Sequence, residues 1–138
     1  MEHLNLSNID KKLMYDVLSV PTTSQHELLM VEFLMDFAKR HGIDASLDDK
    51  GNVYLTKGKV SDGRFYPCIC AHMDTVQDAQ LEWINENKRL EIRTEEFQGE
   101  HFLFCDDIGL GGDDKAGIVI CLSLMLKKPW KTSWSQKA

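Results

Sequence analysis

Residues 65–72 read FYPCICAH. Seven residues pass with no charged side chain and no polar alternation. A run of that kind suits a central strand buried on both faces. Pro67 cannot donate to a ladder, so it is expected near the strand's entry. The chain then turns polar through Met73-Asp74-Thr75-Val76. In open α/β sheets, ligands gather outside the carboxyl ends of strands. His72 and Asp74 therefore stand where a sheet protein keeps its chemistry.

Upstream, Ile9, Leu13 and Val17 recur on one helical face. They predict a helix over Asn8–Leu18 that Pro21 ends, because the residue before a proline is pushed out of helical geometry. Ser24 and Glu27 have the spacing of a capping box, so a second helix is expected from Ser24. Leu28, Val31, Met35 and Ala38 form one apolar stripe, which Met30, Leu34 and Phe37 widen enough to imply burial on more than one side. Lys39, Arg40 and His41 suit a helix C-terminus, and Gly42 suits its stop. Residues 43–47 and 52–56 read as two short strands about the polar turn at 48–52, with Val53 and Leu55 on one face. Residues 58–63 read as loop.

Downstream, residues 81–98 suggest one or two short strands around a charged turn, carried by Trp83, Ile84, Leu90 and Ile92. Residues 102–105 form a short apolar piece, and 106–112 a loop rich in glycine and aspartate. A strongly apolar helix is expected from Asp113 through Leu126, with Pro129 as its stop. The tail, WKTSWSQKA, has no clear period.

The 138 residues are 43% hydrophobic and 28% charged, which permits one modest core. Sixteen Lys and Arg against 22 Asp and Glu leave a net charge of −6. That balance argues against a nucleic-acid partner, which calls for a basic patch. Residues 1–10 are polar, and no apolar run approaches the about 18 residues of a membrane span. Cys68, Cys70, Cys105 and Cys121 show neither CxxC pairs nor disulfide-rich density. Reduced thiols and a cytoplasmic location are the expectation, with no membrane partner.

Two segments carry the chemistry: Ala71-His72-Met73-Asp74-Thr75-Val76 and Gly109-Leu110-Gly111-Gly112-Asp113-Asp114-Lys115-Ala116-Gly117. In extended chain His72 and Asp74 point to the same side. A carboxylate so placed can hold a metal-bound imidazole in orientation. Asp113 and Asp114 open a helix, where its dipole favours negative charge. Asp113 could equally bridge two metal ions, with the preceding glycines allowing close approach. Lys115 reads as a helix-surface or structural residue without a catalytic role. Core packing is the favoured reading for Cys68 and Cys70, although they share a face with His72 and could form a thiolate site with it. Cys105 and Cys121 read as packing residues, as does Trp83. Asp106-Asp107 reads as solvated loop, with a place near the metal mouth as the alternative. His3, His26, His41 and His101 lack metal-ligand company.

Taken in order, AHMDTV and GGDDKAG resemble the metal-binding signatures of the dinuclear-zinc exopeptidase family, which includes peptidase T, aminoacylase and glutamate carboxypeptidase. PTTSQHE at 21–27 and GNVY at 51–54 look like that family's opening. The resemblance spans residues 8–126 and is nearest to a peptidase T-like member. It implies an α/β fold with a mixed, largely parallel sheet flanked by helices. It also implies that His72 is the first zinc ligand, that Asp74 supports it, and that Asp113 bridges two zinc ions, with the peptide after it often cis. The activity implied is zinc-dependent hydrolysis of small peptides.

The family continues with a Glu-Glu pair, general base then ligand, and with further ligands beyond a lid domain. Glu95-Glu96 precedes Asp113 and cannot be that pair. Residues 1–138 are thus expected to be an N-terminal portion of a catalytic domain, without the lid or the C-terminal part. Such a piece would be inactive alone and would hold zinc partly or not at all. The alternative is a non-catalytic fragment that binds metal or self-associates through exposed sheet edge and apolar surface.

Overall fold

A computed structural model describes residues 8–58, 67–76, 88–106 and 108–127. His3, Trp83, Ile84, Asp107 and the tail at 130–138, on which several expectations fall, lie outside the described residues. The elements in chain order are α1 (Asn8–Leu18), α2 (Leu28–His41), β1 (Asp44–Leu47), β2 (Val53–Thr56), β3 (Arg93–Phe97), β4 (Glu100–Phe104) and α3 (Gly112–Leu126). The architecture is a small α/β fold of three helices and two antiparallel two-stranded sheets.

Helix α1 has the expected bounds. Its Leu13 and Val17 enter a core shared with Met30, Phe33, Leu34 and Phe37 of α2, and with Ile118 and Leu122 of α3. Helix α2 stops where expected. Gly42 takes the left-handed conformation (φ 63°) that a side chain disfavours, and its N–H returns to the last turn. Its start differs from the expectation. Ser24 does not cap it, and Leu28 is the first helical residue. Residues 23–26 instead form a turn in which the His26 N–H donates to the Thr23 carbonyl at 2.8 Å. The Glu27 carboxylate accepts from the Gln25 N–H within that turn. Leu28, assigned to the apolar stripe, is 66% exposed, while Phe33 is buried in its place.

β1 and β2 pair from Asp44↔Thr56 to Leu47↔Val53. Asp48 shapes their turn: its Oδ1 accepts the Lys50 and Asn52 N–H groups at 3.0 and 2.8 Å. The side-chain bond from Asn52 is the main reason its carboxyl titrates below the usual range. Lys57, just past β2, donates to the Met125 and Lys127 carbonyls and so closes the C-terminal end of α3. β3 and β4 pair from Arg93↔Phe104 to Phe97↔Glu100, joined by Gln98 and Gly99, both at positive φ. That is the two-residue turn whose twist matches a hairpin.

The mixed, largely parallel sheet is not present among the described residues. Residues 67–70 are exposed and belong to no ladder, and Ile69 is 61% exposed. A strand buried on both faces needs a hydrogen-bonded neighbour and a covering layer. The described residues supply only one parallel bridge near it, Thr23↔Thr75. An apolar run records a preference for burial, but other segments must provide the burial.

Candidate functional site

Three segments meet at one point. The link between α1 and α2 lies parallel to residues 73–75. The Thr75 N–H donates to the Thr22 carbonyl at 3.0 Å, and the Ser24 N–H to the Thr75 carbonyl at 3.1 Å. The Thr22 hydroxyl donates to the Met73 carbonyl at 2.8 Å. Thr22, Thr23 and Thr75 are all buried, so these bonds are shielded from water. The third segment, at the start of α3, packs on Thr75. Gly111 (φ 74°) comes so close that a Cβ there would stand 2.2 Å from the Thr75 methyl.

Lys115 anchors that third segment. It is fully buried, and its Nζ donates to the Leu18 and Leu110 carbonyls at 3.2 and 2.7 Å. Burial lowers its pKa to about 8. It ties the end of α1 to the start of α3, so its role is structural and it does not lie on the helix surface.

The two adjacent aspartates divide their labour. The peptide between Asp113 and Asp114 is cis, and neither residue has helical dihedrals. Asp114 Oδ1 accepts the Gly117 N–H at 2.9 Å, the bond of an N-capping carboxylate to the third helical residue. Its Oδ2 accepts the His72 N–H at 3.4 Å. Asp113 is left projecting from the helix mouth, 95% exposed.

His72 sits between two carboxylates. Its Nδ1 is 3.0 Å from the Asp74 carbonyl oxygen and 3.3 Å from Asp74 Oδ1. A carbonyl can only accept, so Nδ1 carries a hydrogen. Asp74 is steadied in turn by the Ser24 hydroxyl, which donates to Oδ2 at 2.9 Å. On the far side of the ring, His72 Nε2 lies 2.9 Å from Asp113 Oδ1. With Nδ1 protonated, a neutral ring would face that carboxylate with a lone pair. The contact calls for a cation between them or a second proton on the ring. The hydrogen bond to Asp113 accordingly raises the His72 pKa, against an opposing contribution from burial.

His72, Asp74 and Asp113 are thus brought together from 41 residues apart. Only His72 Nε2 and Asp113 converge on one point, since Asp74 lies behind the ring. Among the described residues no group of three or more His, Cys, Asp or Glu side chains is arranged to hold a metal ion. Ser24 and Asp114 are the partners that sequence reasoning missed. Ser24 has the spacing of a helix cap, and nothing local marks a bond spanning 50 residues.

Cys68 and Cys70 are exposed, contrary to the packing expectation; among the described residues neither strand nor helix covers residues 67–70. Cys105 is buried as expected, its thiol donating to the Glu91 carbonyl at 3.1 Å, and Cys121 is partly buried.

No helix among the described residues is long and apolar enough to cross a membrane. No family model matches the chain. No solved structure matches it. Among curated proteins it is similar to a [LysW]-lysine hydrolase of Deinococcus radiodurans, 33% identical over 66 residues. That match takes in 48% of this chain and 17% of the hydrolase. The likeness is to a hydrolase, over less than a fifth of that protein's length.

Proposed function

We propose that this chain supplies the first metal-holding segment of a dinuclear-zinc hydrolase of exopeptidase type, acting on small peptides. His72 binds through Nε2, Asp113 bridges, and Asp74 orients the ring through Nδ1. The observation that carries the reading is the approach of His72 Nε2 to Asp113 Oδ1 at 2.9 Å, with Nδ1 turned to the Asp74 carbonyl, so that a metal ion replacing the Nε2 proton would find both donors in place. Ligands about 2.0–2.1 Å from one zinc ion lie roughly 2.9–3.4 Å from each other at octahedral to tetrahedral angles. The separation therefore fits a shared ion. A carboxylate behind the imidazole is the usual support for a metal-bound histidine. The likeness to a hydrolase favours the same chemistry.

When bound, zinc would supply Lewis acidity and a water of lowered pKa. The chain's own residues fix the ring, hold its Nδ1 proton and present the Asp113 carboxylate to solvent. A two-metal centre needs more ligands and a general base, which a longer polypeptide would provide. Alone, the chain is expected to bind zinc weakly and not to hydrolyse peptides.

Isothermal titration with zinc tests this. His72→Ala and Asp113→Asn should each abolish binding, and Asp74→Asn should weaken it by about 10–100-fold. Unchanged affinity in either of the first two variants would sink the assignment. Zinc-dependent release of amino acids from dipeptides by the 138-residue chain, lost in His72→Ala, would overturn the claim that the centre is incomplete.

A self-associating, non-catalytic role is the competing reading. It is favoured by Ile120 and Leu124, 59% and 38% exposed on the outer face of a helix that is apolar nearly all round. Light scattering that shows a clean monomer at high concentration would remove it.

A further inference from the structure

We propose that Cys68 and Cys70 form a chelating dithiol for a soft, thiophilic metal ion of the Cu(I) class, separate from the imidazole–carboxylate centre. The i, i+2 spacing places both side chains on one side here, as the approach of their sulfurs shows. The two Sγ atoms are 3.6 Å apart, in contact as a thiol hydrogen bond. Both residues are exposed, and residues 67–70 pair with no strand among the described residues. The pair is therefore reachable, and its backbone is not held by a ladder against the small adjustment that closing on an ion requires.

Among the described residues the donor set at the pair is sulfur: the nearby Tyr54 hydroxyl is bonded to Asp48. His72 shares the face but spends Nδ1 on Asp74 and Nε2 on Asp113, so its ring is not turned toward the thiols. Cys105 is buried and bonded to the Glu91 carbonyl. Cys121 lies near enough for the charges of Cys68 and Cys70 to reach it, but burial dominates its raised pKa. Two thiolates without a carboxylate or imidazole select soft ions, whereas zinc in a protein site asks for four donors. The hydrogen bond between the two thiols holds the Cys68 pKa above its ordinary value. On binding, each thiol gives its proton to the buffer and each sulfur forms one bond to the ion. Nothing is oxidised or reduced.

The inference does not depend on the hydrolase reading. The test is an anaerobic titration of the full chain against Cu(I) held by a coloured chelator. Wild type should withdraw one Cu(I) per chain. Cys68→Ser and Cys70→Ser should each lose this capacity, while a Cys105→Ser/Cys121→Ser double variant and His72→Asn should keep it. Failure of wild type to compete overturns the proposal, as does retention by a Cys68→Ser/Cys70→Ser variant or loss in His72→Asn.

A second probe is phenylarsine oxide, whose arsenic forms two As–S bonds with a juxtaposed dithiol as its oxygen leaves in water with the two thiol protons. The Cys105→Ser/Cys121→Ser variant should gain one arsenical by mass. Absence of that adduct also overturns the proposal. Zinc titration of Cys68→Ser separates the two centres: uptake that still depends on His72 and Asp113 leaves the hydrolase reading standing whatever the dithiol does.

Discussion

Gly117 packs directly on the Asp114 carboxylate that caps its helix. A glycine inside a helix ordinarily costs about 0.5–1 kcal/mol relative to alanine. Here a Cβ would stand 2.3 Å from Asp114 Oδ1, the atom that accepts the Gly117 N–H. The carboxylate would have to rotate away, giving up the helix cap and its bond to the His72 N–H. Gly117→Ala should therefore reverse the usual sign and destabilise the chain by about 1–3 kcal/mol, read as a lower urea midpoint. A variant as stable as wild type, or more so, would show that Asp114 is not the cap. The same scale explains why adjacent aspartates can differ in role. One carboxylate is consumed by backbone donors, and the other is left at the mouth of the helix.

At the element scale, the decisive feature is the short parallel contact between residues 22–24 and 73–75. It places His72 and Asp74 against the start of α3 although no regular sheet surrounds them. Thr22 is fully buried, and its hydroxyl donates to the Met73 carbonyl. Thr22→Val keeps the shape and removes the donor, leaving that carbonyl unpaired at a cost of about 1–3 kcal/mol. The expected result is a lower midpoint together with faster hydrogen exchange at the Thr75 amide, which donates to the Thr22 carbonyl. Exchange at Thr75 unchanged from wild type would mean that this contact does not hold the segment. The late start of α2 belongs here too: Ser24 serves Asp74 and the turn at 23–26, and the helix begins without a side-chain cap.

For the whole molecule, Lys115 couples α1, the glycine-rich loop and α3 through one buried ammonium. Its pKa falls from an unfolded value near 10.5 to about 8 because burial disfavours the charge. Below pH 8 both states hold the proton, and the full cost of burying it is present. Between pH 8 and 10.5 the folded state releases the proton while the unfolded state keeps it, so stability rises with pH. The gain approaches about 3 kcal/mol. Burial raises the pKa of Cys105 and Cys121, which works in the opposite direction above their ordinary range. The comparison is therefore between wild type and Lys115→Met. The unfolding free energy of wild type should climb relative to the variant across that window. Parallel curves would show that Lys115 is not buried as a cation.

Residue order alone specifies the elements whose causes are local: α1 up to the link before Pro21, the stop of α2 at Gly42 and the Asp48 turn. Each rests on periodicity or on bonds reaching only a few residues. Tertiary structure decided what depends on competition between distant partners. Ser24 could cap a helix or bond Asp74, and only packing 50 residues away selects between them. The run at 65–71 asks to be buried, but at 67–70 the described residues give it no ladder partner, and both thiols are exposed. In sequence Lys115 reads as either a helix-surface or a structural residue, and it becomes an internal tie because two carbonyls from separate segments converge on it. Which nitrogen of His72 meets Asp113 is likewise fixed only when the ring is clamped between two elements.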